Sequence, residues 1–530
     1  MADMNHIAIL PILVPMMAVI ANVLLGDQRS SNRIVGANIA FGAILVGVAI
    51  LLLVTLVNAD TTATAVYSLG NWPVPFGIVL VADRLAAVMV LTTSILSLAA
   101  MIYASARWYR SSPNFFPLFH AMTMGLNGAF LTGDLFNLFV FFELLLAASY
   151  GLALHGGGRN RVRSALHYIA INLVASSLFL IGVALIYGTT GTLNMADIAR
   201  VGPALAPENR GLFEAGAAIL GVAFLIKAGS WPLHFWLPNV YSAATPPVAA
   251  IFAVMTKVGF YSILRLWNLV FANQQGAELA FGQGVLMVMG LATIFYGSIG
   301  ALASKALDRL ASYIIIVSAG TLLLAASLNA PEVTTGALFY LVVATLAAGA
   351  LFLLKDVIDQ ILPAEAQILA VSLELYGDED EQLDDDEEVS RTMPGAATLV
   401  TWCFAILALL MAGLPPLSGF LAKFVMIAGA FSAEGTSMPM AWWFTGAVIM
   451  SGLFVLVAMA RNGINIFWSS ELGDDLRLRS MEVTPIVMLL ALCVFLSLVA
   501  GPVVAILGDA ALMVHSPDAY IDAVMPEAGP

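Results

Sequence analysis

Apolar runs long enough to cross a bilayer recur along the whole 530-residue chain, separated by short polar stretches. A helix needs about 20 predominantly apolar residues to span a hydrocarbon core of about 30 Å. Runs of that kind fall near residues 6–25, 33–57, 83–103, 114–131, 134–153, 165–187, 213–243, 246–270, 278–302, 308–329, 331–356, 397–432, 440–466 and 482–510. They predict an all-α polytopic membrane protein of about fourteen transmembrane helices. The runs at 213–243 and 397–432 are too long for one straight helix and contain Pro and Gly, so each is expected to form two half-helices. These two discontinuous helices lie about 190 residues apart, each with a lysine near its break. That pattern suggests inverted repeats, although no residue-level repeat is visible.

Lys and Arg positions orient the spans, because cytoplasmic loops carry the excess of both. With fourteen spans, Arg29, Arg33, Arg107, Arg110, Arg159, Arg161, Arg163, Lys305, Arg309, Lys355, Arg391, Arg461, Arg477 and Arg479 all fall on one side. Only Arg200 and Arg210 fall in loops on the other. Both termini are then expected to face outward from a bacterial cell membrane. The N-terminus MADMNHIAIL has no basic segment ahead of its apolar stretch, so residues 6–25 read as a retained span rather than a cleaved signal. The loop at 188–212 is long enough for a short helix over the outer face.

Composition agrees: 61% of residues are hydrophobic and 10% charged, with mean hydropathy +0.94. The net charge of −13 is mostly local, since Asp378–Glu388 (DEDEQLDDDEE) supplies nine acidic residues within the long inner connection 357–396. Such a run reads as solvated linker. Cys403 and Cys493 sit singly in apolar runs and provide no disulfide, zinc or iron–sulfur framework. No Gly-rich phosphate loop and no paired haem histidines are present, so no cofactor and no nucleic-acid partner is expected.

The chemistry concentrates in Val222–Phe260, VAFLIKAGSWPLHFWLPNVYSAATPPVAAIFAVMTKVGF. It is apolar enough for a bilayer, yet it carries Lys227, His234 and Lys257 and is interrupted by Pro232, Pro238, Pro246 and Pro247. A charged side chain at membrane depth costs about 2.5–3.5 kcal/mol on insertion scales and is by default a functional candidate. Glu143, in the middle of FNLFVFFELLLAASY, poses the mirror problem and is the expected partner of Lys227. Lys423 follows AGLPPLSGFLAKF, where Pro415 and Pro416 open the helix within two turns of the amine. His234 is a candidate relay between Lys227 and Lys257, whereas His120 and His167 read as structural histidines. Buried amines and a carboxylate beside interrupted helices, with trapped water, form a proton pathway rather than a catalytic or metal site.

These motifs carry a resemblance. Lys227 with WPLHFWLPNVYSAATPPVAAIFAVMTKVGFYSILR resembles the defining block of the proton-translocating antiporter-like family, which includes large membrane subunits of respiratory complex I and the A-type and D-type subunits of Mrp Na⁺/H⁺ antiporters. FFELLLAASY resembles the family segment with the essential glutamate, which would place that role on Glu143. LPPLSGFLAKF resembles the late broken-helix motif, which would place the second-half lysine on Lys423. The similarity covers roughly residues 80–470. Length, YGTTGTLNMADIA and the acidic inner loop look like the D-type subunits.

The resemblance implies a transporter subunit rather than an enzyme, moving H⁺ in exchange for Na⁺ within a hetero-oligomeric complex. The alternative it leaves open is a proton-pumping membrane subunit of a complex I-like NADH:quinone oxidoreductase. It also divides the chain into N-terminal helices (1–110), a first half with Glu143, Lys227 and Lys257 (111–272), a second half with Lys423 (273–470) and a C-terminal helix with its tail (471–530). One departure stands out. Family members often carry a His or Lys in the helices matching 308–329 and 331–356, whereas this chain has Ala319 and no such side chain between Glu332 and Lys355. A route from Lys257 to Lys423 would need water and Tyr313, Ser318, Thr321, Tyr340 or Thr345.

Overall fold

The computed structural model describes residues 2–25, 32–111, 114–271, 277–361, 395–467 and 479–526. The acidic run and Arg29, Arg391 and Arg477 lie outside them. Lipid offers the backbone no hydrogen bonds, so spanning segments satisfy their own. The chain opens with α1 (Ala2–Ile7), α2 (Leu10–Leu25), α3 (Asn32–Asn58), α4 (Arg84–Ala104), α5 (Phe115–Leu131), α6 (Leu135–Ala153), α7 (Arg159–Thr190) and α8 (Met195–Val201). It continues through α9 (Pro207–Ala228), α10 (Leu237–Ala243), α11 (Pro246–Phe252) and α12 (Met255–Leu266). Then follow α13 (Ala277–Ala303), α14 (Leu307–Ser327), α15 (Pro331–Ile361), α16 (Gly395–Ala412), α17 (Ser418–Ser432) and α18 (Met438–Phe467). The chain closes with α19 (Ser480–Leu498), α20 (Ala500–Val514) and α21 (Pro517–Val524).

Among the described residues, twelve helices are long and apolar enough to cross a membrane. The expected count of fourteen adds α5, which is 17 residues long, and the broken pair α16–α17. The last expected span, 482–510, is bent at Val499, just before Gly501 and Pro502; Pro502 has no N–H for the Leu498 carbonyl. Two ion pairs still hold it to opposite ends of α4: Arg107 Nε lies 3.5 Å from Glu482, and Arg84 pairs with Asp509. Helices α19 and α20 therefore run antiparallel to α4 as one bent crossing.

Basic residues expected on one side meet at one end of the molecule. Asp356, near the end of α15, accepts hydrogen bonds from Arg107 (2.6 Å), Tyr103 (2.6 Å) and Trp108 Nε1 (3.0 Å). Arg479 donates to the Ala106 carbonyl at 2.9 Å, and His155 Nε2 contacts the Trp108 carbonyl at 2.8 Å. The opposite end carries a feature the apolar pattern did not predict, an antiparallel hairpin of β1 (Ala65–Ser68) and β2 (Val79–Ala82). Asn5 of α1 accepts from Val66 N at 3.1 Å, and Leu80 bridges to Thr132. Helix α8 supplies the expected short helix of the 188–212 loop, its first turn capped by Asn194. Asp83 caps α4 through Ala86 N and also binds Arg265 twice, at 2.5 and 2.8 Å, with Tyr520 of α21 over the same guanidinium. The described N-terminal and C-terminal segments thus lie at the same end.

Both broken spans follow one plan. Along α7, successive contacts place Gly182 against Gly216, Asn172 against Lys227, Tyr168 against Trp236 and Arg161 against Ala243. Helices α9 and α10 are therefore two halves of one span antiparallel to α7. Along α15, Glu332 meets Gly429 and Gly336 meets Met426, while Leu410 faces a common cavity with Val343, Ala344, Ala347 and Ala348. Helices α16 and α17 are likewise two halves of one span antiparallel to α15. Helix α7 begins near Trp108 whereas α15 ends near it, so the two arrangements point in opposite directions. That is the geometry of inverted repeats.

Candidate proton-transfer site

Each break begins with a glycine in the left-handed region, Gly229 at φ +71 and Gly413 at φ +76. Each permits a closing pair of hydrogen bonds: Gly229 N to Ile226 O with Ser230 N to Leu225 O, and Gly413 N to Leu410 O with Leu414 N to Leu409 O. The last carbonyls of α9 and α16 then end inside the protein, and the negative end of a helix favours a cation. Lys227 lies in the last turn of α9, and Lys423 donates to the Ala412 carbonyl of α16 at 2.9 Å. Of the prolines expected at the breaks, Pro232 lies inside the first gap and Pro415 and Pro416 inside the second. Pro238, Pro246 and Pro247 occupy first-turn positions of α10 and α11, where a missing N–H costs no helix bond.

The three lysines are nearly sealed from the exterior, with relative exposures of 6% for Lys227, 1% for Lys257 and 7% for Lys423. Lys227 Nζ donates to Asn172 Oδ1 at 3.1 Å and lies 5.5 Å from the centre of the Phe142 ring. Glu143, on α6, accepts a hydrogen bond from Ser176 Oγ. Glu143 is close enough for its charge to act on Lys227, but the two form no direct ion pair; α7 mediates through Asn172 and Ser176. Neither mediator was singled out by sequence reasoning. The available signal was their spacing of four in INLVASS, which puts two polar side chains on one helix face.

Lys257 lies in the first turn of α12, after a turn at Ala253–Val254 that interrupts the expected 246–270 span. Its Nζ donates to Ser318 Oγ of α14 at 3.0 Å. A side chain on Gly259 would collide with the backbone of Lys227 and Ala228, so this glycine lets α12 cross α9 beside both lysines. His234 makes no hydrogen bond among the described residues, and its ring lies 4.1 Å from that of Tyr296 on α13. Its ring nitrogens, Trp236 Nε1 and the hydroxyls of Thr245 and Thr256 are buried without protein partners, a capacity suited to ordered water. His120 contacts Asn38 Oδ1 at 2.9 Å, and His167 contacts the Arg163 carbonyl of its own helix at 2.9 Å.

A concavity of about 750 Å³ contains none of these groups. Leu220, Phe224, Trp267, Val285 and Leu286 make it an apolar crevice at the flank of α9.

Residues 132–453 match the family described as NADH:quinone oxidoreductase/Mrp antiporter, TM, and that range contains Glu143 and all three lysines. The chain belongs to this family. It is 52% identical over 507 residues to the D-type subunit of a probable K⁺/H⁺ antiporter from Rhizobium meliloti, with 94% of each chain covered. It is 34% identical over 532 residues to the D-type subunit of a Na⁺/H⁺ antiporter from Alkalihalophilus pseudofirmus, covering 99% of this chain and 100% of that one. A chain in the structure of the Mrp complex from Dietzia sp. DQ12-45-1b superposes with a TM-score of 0.80 at 25% identity, covering 99% of this chain and 100% of that one. The likeness spans both broken helices, and the family member is a multi-pass membrane protein.

Proposed function

We propose that this chain is the D-type, proton-translocating subunit of a multi-subunit antiporter in a bacterial cell membrane, exchanging H⁺ for Na⁺ or K⁺. Protons enter the buried system at the Glu143–Lys227 site and pass by Lys257 toward Lys423, with water and His234 serving the first broken span. The observation that carries this reading is the state of the three lysines: each is buried at a helix interruption, each has a neutral oxygen as its hydrogen-bond acceptor, and none forms an ion pair with a described residue. A charge held by neutral groups can be released, whereas a tight ion pair would fix it. Glu143, next to Lys227 but held by Ser176, is placed to alter that charge without trapping it.

The relatives' names supply the partners and the exchanged ions. Both relatives are named as subunits, one for K⁺ and one for Na⁺, so this chain works beside other subunits and both cations must be assayed. The test uses everted membrane vesicles containing the assembled complex, with a pre-formed pH gradient and added Na⁺ or K⁺. Dissipation of the gradient that is lost in Lys227→Ala is the expected result. A complex I-like role would instead show quinone-reducing subunits co-purifying and no cation-driven dissipation.

A further inference from the structure

The weakest link in the proton route is the gap between Lys257 and Lys423, where no ionisable side chain intervenes in α14 or α15 between Arg309 and Lys355 except Tyr313, Tyr340 and Glu332. The geometry fills this gap differently. Lys257 donates to Ser318 Oγ at 3.0 Å. On the neighbouring helix α15, the side chain of Tyr340 is buried. Ser318 and Tyr340 also line a cavity of about 20 Å³ against Leu410, Met411 and Gly419. That is room for about one water molecule. Leu410 and Met411 belong to the last turn of α16, where carbonyls outrun their helical partners. Gly419 and Lys423 are four residues apart on α17 and share a face, and Lys423 is already bonded to Ala412 of the same α16 turn. The cavity thus reaches from Ser318 to the helix end that holds Lys423.

We propose that Ser318 and Tyr340, with one water in this cavity, form a hydroxyl bridge that passes a proton between Lys257 and Lys423. The inference rests on the lysine route proposed above. In one direction, the Lys257 ammonium gives a proton to Ser318 Oγ as the Ser318 hydroxyl proton passes to Tyr340 Oη. The Tyr340 proton passes to the water, and the water gives one of its protons to the neutral Lys423 amine. Each oxygen accepts one proton and donates one, so neither hydroxyl ends ionised and the net change is one proton moved between lysines. The reverse transfer needs only reversed O–H directions. Thr345, the other hydroxyl near the middle of α15, is bonded to Leu341 O of its own helix at 2.6 Å and takes no part.

The test measures cation-driven pH-gradient dissipation in vesicles, normalised to assembled complex, for Tyr340→Phe, Ser318→Ala, Ser318→Thr and Thr345→Val. Removing a positioned proton carrier typically costs about 100-fold or more. Tyr340→Phe and Ser318→Ala should each lower exchange by at least about tenfold, while Ser318→Thr, which keeps the hydroxyl, and Thr345→Val stay near wild type. A purely packing role for these residues would make Ser318→Thr, the bulkier change, worse than Ser318→Ala. If Tyr340→Phe fails to assemble, the Ser318 pair decides. Lys227→Ala and Lys423→Ala are measured alongside. Both inactive with Tyr340→Phe and Ser318→Ala at wild-type rates would overturn the bridge and leave the lysine route standing. An active Lys423→Ala beside an inactive Lys227→Ala would also overturn the bridge. Wild-type exchange from both lysine variants would overturn the route itself.

Discussion

The two broken spans share a backbone plan but not a chemistry. At the first, Lys227 has a carboxylate within electrostatic reach, and α7 holds the two groups apart with Asn172 and Ser176. At the second, the acceptor of Lys423 among the described residues is the Ala412 carbonyl, at the negative end of α16. An amine beside a carboxylate responds to whatever protonates that carboxylate. An amine beside a helix end has a fixed field. On the proposed route, the first span is then the one that can be switched and the second the one that receives.

This contrast can be broken at the carboxylate. Glu143→Gln should reduce exchange by more than about 100-fold, while Glu332→Gln, the acidic residue against α17, should leave it close to wild type. An equal loss from both would erase the asymmetry. Glu143→Asp keeps the charge but moves it away from Ser176, so roughly tenfold lower exchange with a displaced pH optimum is expected, read from rate–pH profiles of vesicles. Asn172→Ala removes the acceptor of the Lys227 amine; hydrogen bonds to charged groups are worth about 1.5–3 kcal/mol, so a loss of about tenfold is expected, with Asn172→Ser milder. Replacing Asp378–Glu388 with a neutral Gly/Ser segment should change neither assembly nor exchange measurably, because a solvated run of like charge belongs to neither span. Loss of the co-purified complex would instead make the run a partner contact.

Much of this arrangement is legible in the sequence, because burying charge in lipid is so costly that few residues can break the apolar pattern without a reason. Glu143, Lys227, Lys257 and Lys423 stand out on that ground alone, and the overlong runs at 213–243 and 397–432 announce their interruptions. Other features stay hidden for physical reasons. Single Asn and Ser residues such as Asn172 and Ser176 are ordinary in apolar helices, so only packing reveals that they stand between Glu143 and Lys227. The turn at Ala253–Val254 carries no Pro or Gly at the break itself, and the hairpin at 65–82 is too short to impose a pattern. His234 reads as a relay by composition, yet which neighbour it meets, Tyr296, depends on how α13 packs against the gap.

The central claim is that Lys227 carries a proton rather than ties helices together. Its amine forms no ion pair with a described residue, so Lys227→Ala should accumulate and assemble. Had Lys227 been one half of a structural buried pair, its loss would cost about 3–5 kcal/mol and deplete the protein. The direct measurement is pH-gradient dissipation by added Na⁺ and K⁺ in vesicles containing the Lys227→Ala complex, normalised to its assembled amount. The account predicts a normally assembled complex without exchange. Wild-type exchange from that complex would contradict it.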